Sequence, residues 1–429
     1  MKKLHVGIAG LGTVGQGVYK ILTDKKDHFT KKYGCEIKIV AVSARDKTKD
    51  RGIDLRDIKW YSNPVDLASD KEVDVVIEVI GGADGPAADT VRAALKNGKH
   101  VVTANKALLA KSGLELGKIA EEKNIALKFE ASVAGGIPII KAIMESLSAN
   151  KIMKVTGILN GTCNFILSKM EKEKRTFADV LSEAQKLGYA EADPSFDVEG
   201  KDAAHKLVIL SALAFGIKPN LAPTYIEGIT RVTLNDINYA KHLGYKIKLL
   251  AVANLNSKGE IEQRVHPCAI DKNKDVAQVD GVLGAVKVKC DSLGDAFFTG
   301  AGAGMLPTAS SVVADIIDIA NGSYSKPFIY SEKDMADGKF SSIDDHESEY
   351  YIRFSVADQD GVLSSLTAIL SNNKVGFEKI YQEIYEKGKA NIVVITHKVK
   401  EENIKRSLAE IGKQKYIVAD PLFIRVEEV

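Results

Sequence analysis

Two lysines stand apart from the many that a solvated surface explains. Lys106 lies in Thr103-Ala104-Asn105-Lys106-Ala107, immediately after the short apolar run Val101-Val102-Thr103. In an open α/β sheet, ligands gather outside the carboxyl ends of the strands, which is where this amine falls. Lys206 sits in an otherwise apolar helical stretch, four residues after Asp202 and therefore on the same helical face. A lysine kept cationic by a carboxylate is a general acid for an oxygen that gains charge. The same spacing on a wet face is only a surface pair, worth about a few tenths of a kcal/mol. Spacing alone weighs the two readings evenly. The approach tips the balance: Glu191, Asp193, Asp197, Glu199 and Asp202 crowd a non-periodic segment that enters a buried helix. Desolvating so many like charges is unfavourable unless cations or polar ligands meet them. His205 reads as a packing or surface histidine. Cys163 is the one thiol placed to be a nucleophile, with no His nearby in sequence.

A second constellation is Gly10-Leu11-Gly12-Thr13-Val14-Gly15, or G-x-G-x-x-G. The first glycine permits the tight turn, and the second lets backbone approach a pyrophosphate. The third lets helix and strand pack closely, so the helix N-terminus faces the anion. The motif follows a predicted strand and opens a predicted helix, the context that dinucleotide binding requires. The next strand ends Val42-Ser43-Ala44-Arg45-Asp46. Arg45 with nearby Lys47 suits the 2′-phosphate of NADP, while Asp46 leaves NAD open.

These groups need a frame. Apolar runs Leu4–Ala9, Ile37–Ala44, Val73–Ile80, Val101–Thr103 and Ala126–Phe129 alternate with helical stretches, including Thr13–Leu22 and Thr90–Asn97. That alternation predicts a doubly wound parallel sheet over residues 1–130, an α/β dinucleotide-binding domain of Rossmann type. From 131 to 322 an α+β substrate and dimerisation domain is expected. Its helix at 305–320 follows the glycine-rich Gly300–Gly304 and is expected to return to the first domain. Residues 323–349 are polar and weakly periodic and read as a linker. Residues 350–429 run strand, helix, strand, strand, helix, strand, the ferredoxin-like order.

The chain has 429 residues, too long for one compact domain, with 59 Lys+Arg against 57 Asp+Glu. A net charge of +2 gives no electrostatic case for nucleic acid. No apolar run nears the roughly 20 residues of a membrane span. Glycines at 10, 12 and 15 break the hydrophobic segment that a leader peptide would need. The four cysteines are far apart, without C-x-x-C, which argues against a disulfide framework and for a reduced, cytoplasmic setting.

Over essentially its whole length the chain closely resembles homoserine dehydrogenase, in the monofunctional form with a C-terminal ACT domain. The residues that carry the likeness are G-L-G-T-V-G at 10–15, T-A-N-K-A-L at 103–108 and E-A-S-V-A-G-G-I-P at 130–138. G-I-L-N-G-T-C-N at 157–164, G-Y-A-E-A-D-P-x-x-D-V-x-G-x-D-A-A-x-K-L at 188–207 and G-A-G-A-G at 300–304 complete it. The resemblance implies reversible NAD(P)H-dependent reduction of L-aspartate 4-semialdehyde to L-homoserine, with Lys206 as proton donor and Lys106 assisting. It implies Glu191 on the substrate amino group, Thr162 at the substrate, and Asp197 and Asp202 orienting substrate, water and lysine. Cofactor contacts are expected from Gly10, Gly12, Thr13, Val14, Gly15, Ala44, Arg45, Thr103, Lys106 and Gly302. A sodium-like monovalent cation is expected at Glu130 with the backbone oxygens of Val133, Gly135 and Ile137. The tail implies a threonine effector, and the enzyme is expected to be a dimer or tetramer. Two alternatives remain at this point: a thioester-forming semialdehyde dehydrogenase using Cys163, and a non-catalytic redox or amino-acid sensor.

Overall fold

The computed structural model describes residues 2–324 and 326–429. The chain forms two compact units: Met1–Gly161, Asp202–Ala222 and Val282–Gly338 in one, Thr162–Lys201, Pro223–Gly281 and Lys339–Val429 in the other. Both are discontinuous, whereas the sequence boundaries at 130, 322 and 349 follow the elements in simple succession.

In the first unit six strands make a parallel sheet: β1 (Lys2–Ala9), β2 (Cys35–Ser43), β3 (Lys59–Tyr61), β4 (Val75–Glu78), β5 (His100–Thr103) and β6 (Leu127–Lys128). Their order is β3-β2-β1-β4-β5-β6, so the chain winds outward in both directions from β1. The winding reverses between β1 and β4, and a crevice opens there at the strands' carboxyl ends. Val6, Ile8, Val75, Ile77 and Val102 are wholly buried, as expected of a sheet covered on both faces. The helix Met305–Ala320 lays Ala309, Val312, Val313 and Ile316 into this same core. Gly17 permits the approach, since a Cβ there would stand 2.8 Å from the Met305 carbonyl oxygen. The sequence reading anticipated five strands and missed β3, whose three residues Lys-Trp-Tyr are too short to show a period. Three antiparallel strands complete this unit, Ile152–Ile158, Leu283–Cys290 and Asp295–Ala301.

The second unit centres on the long antiparallel pair Tyr245–Leu255 and Ile261–Asp271. Polar Glu262, Gln263, Arg264 and His266 hide the second of these from periodicity. In the fold Arg264 is buried and paired with Glu427 at 3.0 Å. The tail adds Tyr350–Ala357, Phe377–Glu386, Lys389–Thr396 and Ile417–Val426, with helices Val362–Asn372 and Glu401–Ile411. Counting only these four tail strands, their order is 4-1-3-2, the ferredoxin-like arrangement. Ile417–Val426 also pairs in parallel with Ile261–Asp271, Cys268 opposite Arg425. Arg425, fully buried, donates to both carboxylate oxygens of Glu401 at 2.6 and 2.7 Å. Within residues 323–349, Phe328 packs on Phe129 in the first unit, and Glu347–Ser348 pairs with Val399–Lys400 in the second.

Candidate active site

The helix Lys201–Phe215 is apolar except near its start, where Asp202 is buried. One carboxylate oxygen of Asp202, Oδ2, accepts from Lys206 Nζ at 2.7 Å and from the Asn160 amide at 2.8 Å. Its other oxygen, Oδ1, lies 3.1 Å from Lys106 Nζ. Lys206 Nζ also donates to the Leu159 carbonyl at 2.7 Å. Burial opposes charge on Asp202, but Lys206, Lys106 and the Asn160 amide outweigh it and hold the carboxyl at about 2. The result is an anion that binds two ammonium groups at once. Lys106 owes its place to Asn105, whose side chain caps the helix Lys106–Lys123 by accepting from Leu108 N at 3.1 Å.

Of the three fingerprint glycines, the first and third are required by the backbone, and the second leaves room for a ligand. Gly10 has φ +110°, a Cβ on Gly15 would stand 1.9 Å from the Gly10 carbonyl oxygen, and Gly12 has open space where a Cβ would go. No side chain caps the helix Thr13–Asp24, so its N–H groups face outward for an anion. A cavity of about 770 Å³ lies beside them, walled by Gly10, Gly12, Ala44, Arg45, Lys49 and Arg51 among others. Thr13, Val14, Gly15, Thr103, Lys106 and Gly302 are not on its wall. Gly302 instead packs against Gly135, where an added Cβ would come within 2.5 Å of its carbonyl oxygen.

Arg51 escaped the sequence reading. Its guanidinium donates to the carbonyls of Leu11, Lys49 and Asp46 at 3.3, 2.8 and 2.7 Å and lies over the Trp60 ring at 5.6 Å. Asp46, the acid that left NAD open, turns back on its own loop. Its Oδ1 accepts from Thr48 N at 2.8 Å, Thr48 Oγ1 at 2.7 Å and Lys49 N at 3.2 Å. The Thr48 hydroxyl foremost draws its carboxyl below the usual range.

In the second unit, Thr162 Oγ1 donates to the Tyr189 carbonyl at 2.6 Å and lies 3.4 Å from Asp197 Oδ2. Glu191, Asp193 and Glu199 are exposed. The expected crowd of desolvated acids is therefore not found: of the five, Asp202 is buried, Asp197 is half-buried and the other three stay in water. Asn160, unassigned by the sequence reading, is the further polar partner of that one buried acid.

Residues 10–130 match the model of "Homoserine dehydrogenase, NAD binding domain", and residues 138–317 match that of "Homoserine dehydrogenase". A homoserine dehydrogenase of Neisseria gonorrhoeae is 44% identical over 436 residues, covering all of both chains. The chain belongs to the homoserine dehydrogenase family. A crystal structure of the homoserine dehydrogenase from Thiobacillus denitrificans is 42% identical and superimposes with a TM-score of 0.93, over 100% of this chain and 99% of that one. A hyperthermophilic archaeal homoserine dehydrogenase in complex with NADPH is 28% identical with a TM-score of 0.65, over 76% of this chain and 99% of that one.

Membership of the homoserine dehydrogenase family disposes of the sensor alternative, and Cys163 bears on the thioester one. Its thiol is buried and donates to the Asp197 carbonyl at 3.2 Å. At the expected cation position, Glu130 is buried and caps the helix that begins at Ile139, accepting from Ile140 N at 2.9 Å and Lys141 N at 2.7 Å. The Gly135 carbonyl accepts from Ser311 Oγ at 2.7 Å and that of Ile137 from Ile139 N at 2.8 Å. Among the described residues no helix is long and apolar enough to cross a membrane.

Proposed function

We propose that this homoserine dehydrogenase family member interconverts L-homoserine and L-aspartate 4-semialdehyde with NADP(H), and that Lys206 moves the proton. The observation that carries this is the single buried carboxylate of Asp202 holding the amines of both Lys206 and Lys106. When bound, the nicotinamide supplies hydride to the aldehyde carbon or accepts it from the alcohol carbon. In reduction, negative charge gathers on the aldehyde oxygen; the Lys206 ammonium stabilises it and hands over a proton. Asp202 fixes the rotamer of that amine, and Lys106 lies at the other oxygen of the same carboxylate. In oxidation Lys206 takes the proton back. Asp197, Thr162 and Glu191 are assigned to orienting the substrate, Glu191 through its amino group. Nicotinamide absorbance followed on adding homoserine tests the reaction. No homoserine-dependent change would defeat it.

NADP is the cofactor we assign, rather than NAD. Arg45, Lys49 and Arg51 wall the cavity beside Asp46, whose Oδ1 already accepts from Thr48 and Lys49. The archaeal relative's NADPH complex supports the same choice. Gly10, Gly12 and the N-terminus of Thr13–Asp24, with Val14 and Gly15 behind, form the pyrophosphate cradle. Thr103, Lys106 and Gly302 are retained as assigned contacts on the resemblance alone. A monovalent cation, sodium-like, is assigned to Glu130 and the carbonyls of Val133, Gly135 and Ile137, an all-oxygen set suited to a hard ion. Comparing activity in sodium, potassium and choline chlorides tests it; equal rates remove the cation.

Residues 350–429 are proposed to be an ACT domain that binds threonine as feedback inhibitor. Support comes from a cavity of about 580 Å³ lined by Asp358, Gln359, Gly361, Ser364, Thr367 and Gln382. Threonine should inhibit the wild type and not Asp358→Ala; indifference of the wild type ends the proposal. Exposed Ile380 and Ile384 on the strand Phe377–Glu386 favour a homo-oligomer, dimer or tetramer, which light scattering measures. The cytoplasm suits four buried cysteines, none of them in a disulfide.

A further inference from the structure

Glu78 ends β4 at the switch point, opposite Ala9 of β1 on one side and Thr103 of β5 on the other. It is fully buried, and no ion pair among the described residues includes it. Its carboxylate is spent on three neutral donors. Oε1 accepts from Ile80 N at 2.8 Å and Gly81 N at 3.0 Å, and Oε2 accepts from the Thr103 hydroxyl at 2.5 Å. Thr103 Oγ1 in turn accepts from Asn105 N at 3.0 Å, and Asn105 Nδ2 donates to the Gly82 carbonyl at 2.7 Å. The bonds close a ring: Glu78, the loop Ile80–Gly82, Asn105, Thr103 and back to Glu78.

Both things that the ring fixes are functional. The loop begins at Ile80, which with Val79 walls the cavity, and its Gly81 and Gly82 have φ of +87° and +96°. Such a loop has little intrinsic preference for one shape and needs bonds to hold it. Asn105 is the cap from which the Lys106 helix starts. A buried carboxylate without a cation is costly for a strand end that needs only packing, and an apolar side chain would fill the place at less expense. From this geometry we infer that Glu78 is a positioning residue, holding Lys106 towards Asp202 and the Ile80–Gly82 loop against the bound cofactor. It acts through Thr103 and Asn105 and touches no reacting atom. The inference rests on the proposed reaction only for its kinetic half.

Glu78→Gln keeps the shape and an acceptor for the loop but removes the acceptor for the Thr103 hydroxyl. Its kcat should fall by about 10–100-fold, the scale of a misplacement near 1 Å. The dissociation constant for NADPH, read by its fluorescence without any substrate, should rise by about 5-fold, equivalent to one hydrogen bond. Thr103→Val breaks the same link from the other side. It should lower kcat alike, and the double variant should be no worse than the poorer single, because both cut one chain of bonds. Glu78→Gln with kcat and NADPH affinity both within 2-fold of wild type would overturn the inference, as would a melting temperature that falls while both stay unchanged. Additive losses in the double variant would do the same, and if Glu78→Gln proves poorly folded, Thr103→Val alone with kcat and NADPH affinity both within 2-fold of wild type would overturn the inference. A wild type without homoserine-dependent turnover would instead count against the proposed reaction, and the NADPH affinities would still decide whether Glu78 holds the loop.

Discussion

Asp202 and Lys206 stand one helical turn apart and meet at 2.7 Å, Oδ2 to Nζ, on a helix whose other buried residues are apolar except Ser211. Their side chains are 7% and 13% exposed, which separates them from an ordinary surface i,i+4 pair. A pair on the surface is screened and weak; this one is dry on most sides, and its carboxylate has a second lysine on its other oxygen.

Removing the amine should therefore cost chemistry rather than cofactor binding. Lys206→Ala is expected to lower kcat by about 10²–10⁴-fold, the weight of a general acid, with NADPH affinity little changed. Steady-state kinetics beside a fluorescence titration measure both. Loss of NADPH binding with turnover preserved at saturation would show the lysine to be a cofactor ligand instead.

Cofactor choice should follow the cations on the cavity wall. Arg45→Asp and Arg51→Ala are each expected to reduce kcat/KM for NADPH by about 10-fold or more while leaving NADH less affected, since a charge-assisted bond to phosphate is worth roughly 1.5–3 kcal/mol. Arg51→Ala should act partly by freeing the loop that its three carbonyl contacts hold. A wild type that prefers NADH, or a ratio that neither substitution moves, contradicts the assignment.

Asp315 gives a pH signature in the first unit. Burial, reinforced by the charge of Glu130, pushes its carboxyl up to about 7 from an ordinary 3.8, while its Oδ2 accepts from Glu130 N at 2.9 Å. A raised acid contributes stability that is full below its unfolded pKa and is lost as pH rises through the folded one. The loss here runs from about pH 4 to 7. Asp315→Asn retains an acceptor for Glu130 N and cannot ionise, so in buffer without sodium or potassium, where the cation proposed at Glu130 is absent, its melting temperature should gain on wild type more at pH 8 than at pH 5. Equal differences at both values would place the proton elsewhere.

The tail should depend on Arg425. Its fork binds Glu401 through two bonds and reaches Glu227 at 3.2 Å, all within the second unit. Removing one partner of a buried pair leaves the other uncompensated, so Arg425→Ala is expected to cost about 3–5 kcal/mol in chemical denaturation. A loss below about 1 kcal/mol would mean that water replaces the guanidinium and that the network contributes little.

Much of this molecule is legible along the chain because its signals are local. The glycine fingerprint, the strand–helix alternation up to Phe129, the 202/206 spacing and the order of elements after Tyr350 each involve neighbours within a few turns. Strands that carry buried charge, such as Ile261–Asp271, defeat the same reading, because their polar residues find partners far along the chain. The crowd of acids before Asp202 misled for the converse reason: polarity in sequence does not say which charges leave water.

Local periodicity and backbone requirements settled why residues 10 and 15 are glycine, and which face of a helix Lys206 shares with Asp202. Only tertiary structure decided that Lys106 reaches the same carboxylate, that Arg51 walls the cavity beside Gly10 and Gly12, and that Glu78 accepts from Thr103. Convergence of distant segments depends on how a sheet is wound, and no pattern within a few residues can specify it.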